Sequence, residues 1–203
     1  MHPNPVFHSA TDKENLAFAA GRGFGTLAVN GTQAPMLAHV PFHITGDCAE
    51  LHLMRSNPIA AAAASGPQPA VIAVAGPDSY ISPDWYGTQD LVPTWNYVAV
   101  HLRGRLEMME DSALPGVLAR LSERFEAELA PKPAWHMDKL SPGVAQRMMR
   151  MIRPCRFHIE AVDGTWKLGQ NKTDAARAGA ADALEQVALG QNLQQLATLM
   201  RQA

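Results

Sequence analysis

The sequence predicts an α+β protein built on a closed antiparallel β-barrel, with flanking helices and a helical C-terminal extension. Two observations carry this. Short alternating or apolar runs, separated by turn signals, occupy most of residues 24–107, and helical spacing follows mainly after them. Strands and helices also fail to alternate regularly, which argues against a doubly wound parallel sheet.

The elements follow in order. Thr11-Asp12-Lys13-Glu14 fits a capping box, in which the threonine oxygen takes a free helix N–H and the glutamate reaches back. A helix from Asp12 to Ala20 follows, stopped at Gly21 and Gly23. Phe24–Val29 reads as a strand, and Asn30-Gly31 as a tight hairpin turn. Pro35–Thr45 is the second strand, with a turn at Gly46-Asp47. Leu51 and Leu53 alternate with His52 and Met54 in a third. Asn57-Pro58 opens a short alanine helix, because asparagine caps well and proline suits the first helical position. Ala70–Ala75 is a fourth, apolar strand, predicted to break at Gly76-Pro77.

A long strand runs from Trp95 to Glu107, with Trp95, Tyr97 and Ala99 on one face and Val98, Val100 and Leu102 on the other. Gly104 marks a bulge or bend. Leu114, Leu118, Leu121, Phe125 and Leu129 form one helical stripe. Ser141–Ile152 reads as a further helix and Arg156–Val162 as the last strand. From Thr173 the chain is helical, with a break at Gly190. Residues 1–172 are thus expected to form the barrel domain, and 173–203 a helical extension of it.

Composition narrows the function classes. Of 203 residues, 47% are hydrophobic and 18% charged, an ordinary globular balance. A net charge of −2 supplies no general field for nucleic acid or anionic lipid. Two cysteines, Cys48 and Cys155, suggest neither a disulfide framework nor a thiolate metal site. The first residues lack a secretory pattern, and no apolar run approaches the ~20 residues that span a bilayer. A cytoplasmic protein without membrane contact is expected.

Familiar motifs fail. Gly21-Arg22-Gly23-Phe24-Gly25 lies between a helix and a strand, the wrong order for a dinucleotide fingerprint. His39 and His43 are four apart on a strand, roughly 13 Å, too far to share one ion, so no metal site is expected. Arg147, Arg150 and Arg153 could share one helix side, most simply as a solvated face. No helix-turn-helix pattern accompanies them.

Three segments suit a ligand better. Arg55-Ser56-Asn57 lies between a strand and a helix start, where a guanidinium, a hydroxyl and free N–H groups can meet a phosphate. Five of the chain's seven tryptophans and tyrosines fall between Tyr80 and Tyr97, on a stretch stiffened by prolines. Rigid aromatics with polar tips suit a flat heterocycle, although a minor core or dimer contact would need them too. Trp166-Lys167-Leu168-Gly169-Gln170-Asn171-Lys172 gathers two lysines and two amides able to contact phosphate or ring atoms, or to form an ordinary polar loop.

In order along the chain, these segments resemble the PaiB-type family of FMN-binding negative transcriptional regulators. The resemblance rests on His39-Val40-Pro41-Phe42, His52–Pro58, Gly76-Pro77, Tyr80-Ile81-Ser82-Pro83 with Trp85-Tyr86, and Val92–Tyr97. It continues through Val100-His101, Gly104-Arg105, Lys167-Leu168 and Gln170-Asn171-Lys172. Pro93-Thr94-Trp95-Asn96-Tyr97 is its most specific string. Gly169 departs from a usual serine, and Met54 and Ser56 from usual alanines.

The resemblance implies a Greek-key split β-barrel, related to pyridoxamine-phosphate-oxidase-like flavoproteins, that forms a homodimer with FMN at the interface. Carried over by position, Arg55, Ser56 and Asn57 would lie near the FMN phosphate. Tyr80, Ser82, Trp85 and Tyr86 would lie near the ligand or across the dimer, and Lys167, Gln170, Asn171 and Lys172 would add polar contacts. Three roles stay open: an FMN-dependent regulator or redox sensor acting on DNA directly or indirectly, a flavin-dependent oxidoreductase, and a haem-binding split barrel. For the second, His101 and Tyr97 are candidates only because they flank the site.

Overall fold

Turn chemistry and alternation set the register of the sheet. In the computed structural model, which describes residues 1–187 and 189–203, β1 (Phe24–Val29) pairs antiparallel with β2 (Met36–Thr45), Val29 opposite Met36. The connection is therefore residues 30–35, longer than the tight turn expected at Asn30-Gly31. Pro35 has no N–H to offer a ladder, so pairing starts one residue later. Gly46 takes a positive φ of 63° in the next hairpin, a conformation free only to glycine, and β3 (Cys48–Met54) returns with Cys48 opposite Thr45.

Four further strands complete the sheet: β4 (Gln68–Ile81), β5 (Thr94–Met108), β6 (Ile152–Lys167) and the two-residue β7 (Gly190–Gln191). Their order is β1-β2-β3-β6-β5-β4-β7, and β1 also pairs with β4, Thr26 opposite Ala73 and Val29 opposite Ala70. That second pairing closes six strands into an antiparallel barrel.

Two expectations are corrected. β4 does not break at Gly76-Pro77 but continues to Ile81. Proline's φ suits extended backbone, and only its N–H is lost. β6 begins at Ile152 rather than Arg156 and runs through Pro154 to Lys167, while the helix expected over Ser141–Ile152 shortens to α4 (Val144–Met149). His52, Leu53 and Met54 of β3 pair with Pro154, Arg153 and Ile152. Arg147, Arg150 and Arg153 therefore do not share a helix face, since Arg150 lies just past the end of α4 and Arg153 stands on a strand.

The chain divides into two compact units. One comprises residues 18–74 and 101–162, and its core holds Leu27, Phe42, Leu51, Ile72, Leu102 and Phe157, all fully buried. Each such side chain contributes about 1.5–3 kcal/mol by leaving water. Among the described residues, two α-helices besides α4 lie wholly in this unit. The first is α2 (Pro58–Ala64), with Asn57 Oδ1 accepting the Ile59 N–H at 2.9 Å. The second is α3 (Leu114–Ala127), which buries Leu114, Val117 and Leu121 and stops before the exposed Leu129.

The other unit comprises residues 1–17, 75–100 and 163–203. The expected capping box opens α1 (Asp12–Arg22): the Thr11 N–H and hydroxyl both donate to Glu14 Oε2, at 2.7 and 2.8 Å. The tail forms α5 (Asp174–Leu184) and α6 (Leu193–Gln202), with β7 between them. Its core holds Ile81, Val100, Ala180, Leu184, Leu196 and Met200. Among the described residues, no helix is long and apolar enough to cross a membrane.

Candidate functional site

In the unit that contains the tail, the ends of β5 and β6 open onto a cavity of about 400 Å³, within the usual range of small-molecule sites. Its lining includes Phe7, Tyr86, Thr94, Asn96, Lys167, Asn171 and Lys172. Lys167 closes β6 and donates to the hydroxyl of Thr94, the first residue of β5, with its ammonium 5.9 Å from the centre of the Phe7 ring. Gly169 (φ +87°) turns the chain, the Lys172 N–H donates to the Gly169 carbonyl at 2.9 Å, and the Lys172 ammonium lies 5.6 Å from the centre of the Tyr86 ring.

Tyr86 is placed by a single 3₁₀ turn, Pro83–Tyr86. Ser82 Oγ accepts the Asp84 N–H at 3.4 Å to start the turn, and Gly87 (φ +63°) ends it. α5 packs on this turn closely enough that a Cβ on Gly179 would meet the Trp85 carbonyl at 3.1 Å. Buried Asn96 hydrogen-bonds the Tyr86 hydroxyl and donates to Met200 Sδ at 3.5 Å. Arg177 of α5, also buried, ties the region together. Its Nε donates to the Met200 carbonyl at 2.7 Å, Nη1 to the Lys172 carbonyl at 3.4 Å, and Nη2 to Asp174 at 3.0 Å.

Burial tunes the cavity. It lowers the pKa of Lys167, because the charged form loses solvation, and raises that of Tyr86 against the opposing effect of Asn96. It also lowers that of His2, with Lys167 adding repulsion. Two ammonium groups and the Asn171 amide can therefore meet an anion or the polar edge of a heterocycle, between the rings of Phe7 and Tyr86.

The remaining expected residues are distributed differently. Gln170 braces its own loop, accepting the Leu168 N–H at 2.9 Å and donating to the Trp166 carbonyl. It lines a separate hollow beside Trp166 and Leu199. Tyr80 and Trp85 are half-buried outside the cavity, Trp95 is exposed, and neither Tyr97 nor His101 lines it. Tyr86 alone of the five rings in the aromatic stretch lines this cavity.

Arg55, Ser56 and Asn57 lie in the other unit, where β3 passes into α2. The Arg55 Nε donates to the Arg150 carbonyl at 2.8 Å and Nη2 to Asp111 at 2.6 Å. Arg153 Nε approaches the other oxygen of Asp111 at 3.5 Å, yet is buried without a hydrogen-bond partner. Hydrogen bonding from Arg55 holds the Asp111 carboxyl below the usual range. Two guanidinium groups share one carboxylate here, so a net positive charge remains. Ser56 is exposed beside them, and the Asn57 side chain is engaged in capping α2.

Sequence reasoning missed Asn96, Asp111, Arg153 and Arg177. Asn96 shares the parity of Val98 and Val100, which marks the buried face. Arg177 stands at helical spacing from Ala181 and Leu184, also a buried stripe. Asp111 carried no local signal.

A family model described as "Putative FMN-binding domain" matches residues 1–161. The chain belongs to this family. FMN is accordingly its cofactor, and the chain is a flavin-binding split-barrel protein. The matched segment includes the Arg55 corner and the Tyr80–Tyr97 stretch, and ends before the Lys167–Lys172 loop. Among relatives is "Protease synthase and sporulation protein PAI 2" of Bacillus subtilis (strain 168), 28% identical over 180 residues, covering 84% of this chain and 83% of the relative.

Solved structures share the fold. The FAD and heme binding protein of Mycobacterium smegmatis superposes with a TM-score of 0.56 at 20% identity, over 79% of this chain and 73% of that one. The flavocytochrome Anf3 of Azotobacter vinelandii gives 0.55 at 16% identity, over 77% and 68%. The residues present fit the family's cofactor chemically. The guanidinium pair, with its excess positive charge, suits a phosphate, and the lysines, Asn171 and ring faces of the cavity suit a polar heterocycle.

Proposed function

We propose that this protein is an FMN-dependent regulator or redox sensor that works as a homodimer with flavin at the subunit interface. The observation that carries the flavin contacts is the Arg55–Asp111–Arg153 corner, with two guanidinium groups on one carboxylate. Arg55 and Ser56 receive the phosphate, and Asn57 shapes the backbone that presents them. Lys167, Asn171 and Lys172 supply polar contacts, held in place by Gln170. Tyr86 contributes a ring face, and Tyr80, Ser82 and Trp85 shape the stretch that carries it.

Bound flavin would supply one- or two-electron redox chemistry; the chain's part is to bind it, orient it and exclude water. Regulation is favoured by the relative named for protease synthase and sporulation. The dimer is favoured by Met54, Met148 and Met151, each about half exposed, on the segments that flank Arg55. Exposed apolar groups beside a polar site suit an interface. A net charge of −2 makes regulation through another protein or a small ligand the simpler route than direct promoter contact.

The test is the visible spectrum of the purified chain after FMN addition and desalting, with sedimentation run alongside. Retained flavin on a dimer, lost in Arg55→Ala, is expected. No retained flavin at micromolar protein removes the flavin assignment, and a flavin-loaded monomer removes the interface. Salt-sensitive binding to a promoter fragment would establish direct contact with DNA.

A further inference from the structure

Away from the Arg55 corner, in the same unit, neighbouring strands of the barrel carry three chemistry-bearing side chains in a row. Cys48, the first residue of β3, stands directly opposite His158 of β6. Its Sγ lies 3.6 Å from His158 Nδ1. On the far side of the imidazole, Nε2 lies 2.9 Å from Glu107 Oε2 of β5. Residues opposite one another across a ladder project to the same face, so the sheet register itself holds Cys48 against His158. A carboxylate only accepts, so a neutral His158 bonded to Glu107 carries its proton on Nε2. Nδ1 is then a bare lone pair facing the thiol. This is the geometry of a base-activated nucleophile with an orienting acid behind the base.

We propose that Cys48, His158 and Glu107 form a base-assisted thiol site that reacts with small neutral hydroperoxides. The sulfur attacks one peroxide oxygen; the S–O bond forms as the O–O bond breaks. Cys48 is oxidised by two electrons to a sulfenic acid, and the peroxide is reduced by the same two. The thiol proton passes to His158 Nδ1 and then to the departing hydroxide or alkoxide, which leaves as water or an alcohol. Glu107 keeps the imidazole in the accepting tautomer and steadies it while it carries the extra proton.

The surroundings select the reagent. Burial and the Asp47 carboxylate, whose Oδ1 lies 3.4 Å from Sγ and competes with His158 Nδ1 for the single thiol proton, raise the thiol's pKa; Glu50 adds to this and Arg156 opposes it. Little preformed thiolate exists at neutral pH, so proton removal must accompany attack. Asp47 and Glu50, with Glu107 behind the imidazole, disfavour anionic oxidants and anionic disulfides. Cys48 is only half-buried, which admits a small reactant. The chain also carries its own control. Cys155 is fully buried, with its thiol pushed up to about 12 by burial.

The experiment treats the purified full chain with hydrogen peroxide, traps sulfenic acid with dimedone and follows each cysteine by peptide mass across pH. Cys48 is expected to be labelled at least about tenfold faster than Cys155, and His158→Gln to slow it by about tenfold or more. Glu107→Gln should slow it less. The wild-type rate should depend less steeply on pH than the His158→Gln rate, which should follow the thiol's own titration. Cys155 labelling also reports folding: if it accelerates in His158→Gln, the Glu107→Gln rate and pH profile decide. The proposal is overturned if Cys48 reacts as fast without His158 while Cys155 stays protected, or if the two cysteines react alike in the wild type.

Discussion

Arg55 gives one guanidinium proton to Asp111 at 2.6 Å and another to the Arg150 carbonyl at 2.8 Å, so the residue proposed to hold the FMN phosphate is already held by an anion of the chain itself. Asp111 is 53% exposed at its side chain and can swing away, which makes it a competitor rather than a fixed partner.

The expected outcome of Arg55→Ala is a loss of FMN affinity of about 10- to 100-fold, from about 1.5–3 kcal/mol for a charge-assisted hydrogen bond. Asp111→Asn should do the reverse and tighten binding, because it frees Arg55 and Arg153 together. Flavin fluorescence titration reads both. If Asp111→Asn weakens binding as much as Arg55→Ala, Asp111 orients Arg55 instead of competing with the phosphate. For stability the sign is separate. The Asp111 pKa is depressed in the folded chain, so the pair's contribution is fully present above the ordinary aspartate value and is lost as pH falls through the depressed one. Solvent screening of an exposed pair limits it to about 0–1 kcal/mol.

Arg177→Ala is expected to destabilise the unit that carries the tail. The buried guanidinium serves the Met200 carbonyl in the last turn of α6, the Lys172 carbonyl in the cavity loop and Asp174 in the first turn of α5. Removing it leaves the Met200 carbonyl without that donor and costs about 1–3 kcal/mol. Thermal unfolding should fall, and proteolysis should cut first within residues 168–203. A variant with unchanged melting would show that α6 is held by its apolar face alone.

Gly104 makes a sharper demand. A Cβ there would come within 1.8 Å of the His158 carbonyl oxygen, a backbone atom of the neighbouring strand that cannot rotate aside. Gly104→Ala must part β5 from β6 or fail to fold. We expect a loss of about 3 kcal/mol or more, read as a lower denaturation midpoint with unchanged slope. A near-neutral result would mean that the ladder yields locally, as at a bulge.

What the sequence disclosed follows the range of the forces involved. The capping box at Thr11 and Glu14, the cap at Asn57 and the turn at Gly46 are local contests, settled within four residues, and each formed as expected. The alternation of Val98, Val100 and Leu102 was also readable, because one face of a strand must be dry. The starts and ends of β4 and β6 were not. Pro77 and Pro154 look like breaks in isolation but sit in strands whose pairing is fixed by distant neighbours. The same limit applies to the site. Arg55 was visible as an anion contact, but Asp111, 56 positions on, had no signal. Tyr86 was visible only as one of five aromatics, and a single 3₁₀ turn and the packing of α5 determine that it alone faces the cavity.

Lys167 offers a test of the cavity that does not depend on activity. Burial lowers its pKa from the ordinary 10.5, so in the alkaline window below that value the folded chain gives up this proton before the unfolded chain does. Stability contributed by this group therefore rises with pH across the window, because the unfolded state binds more protons. An anion entering the cavity restores the charge. FMN binding there should take up protons in that window. Calorimetry in two buffers of different ionisation enthalpy measures the uptake directly. Lys167→Met should abolish it while leaving Arg55-dependent binding in place. Binding with no proton uptake in the alkaline window would place the ligand's negative charge away from Lys167 and leave the Arg55 corner as the only anion contact.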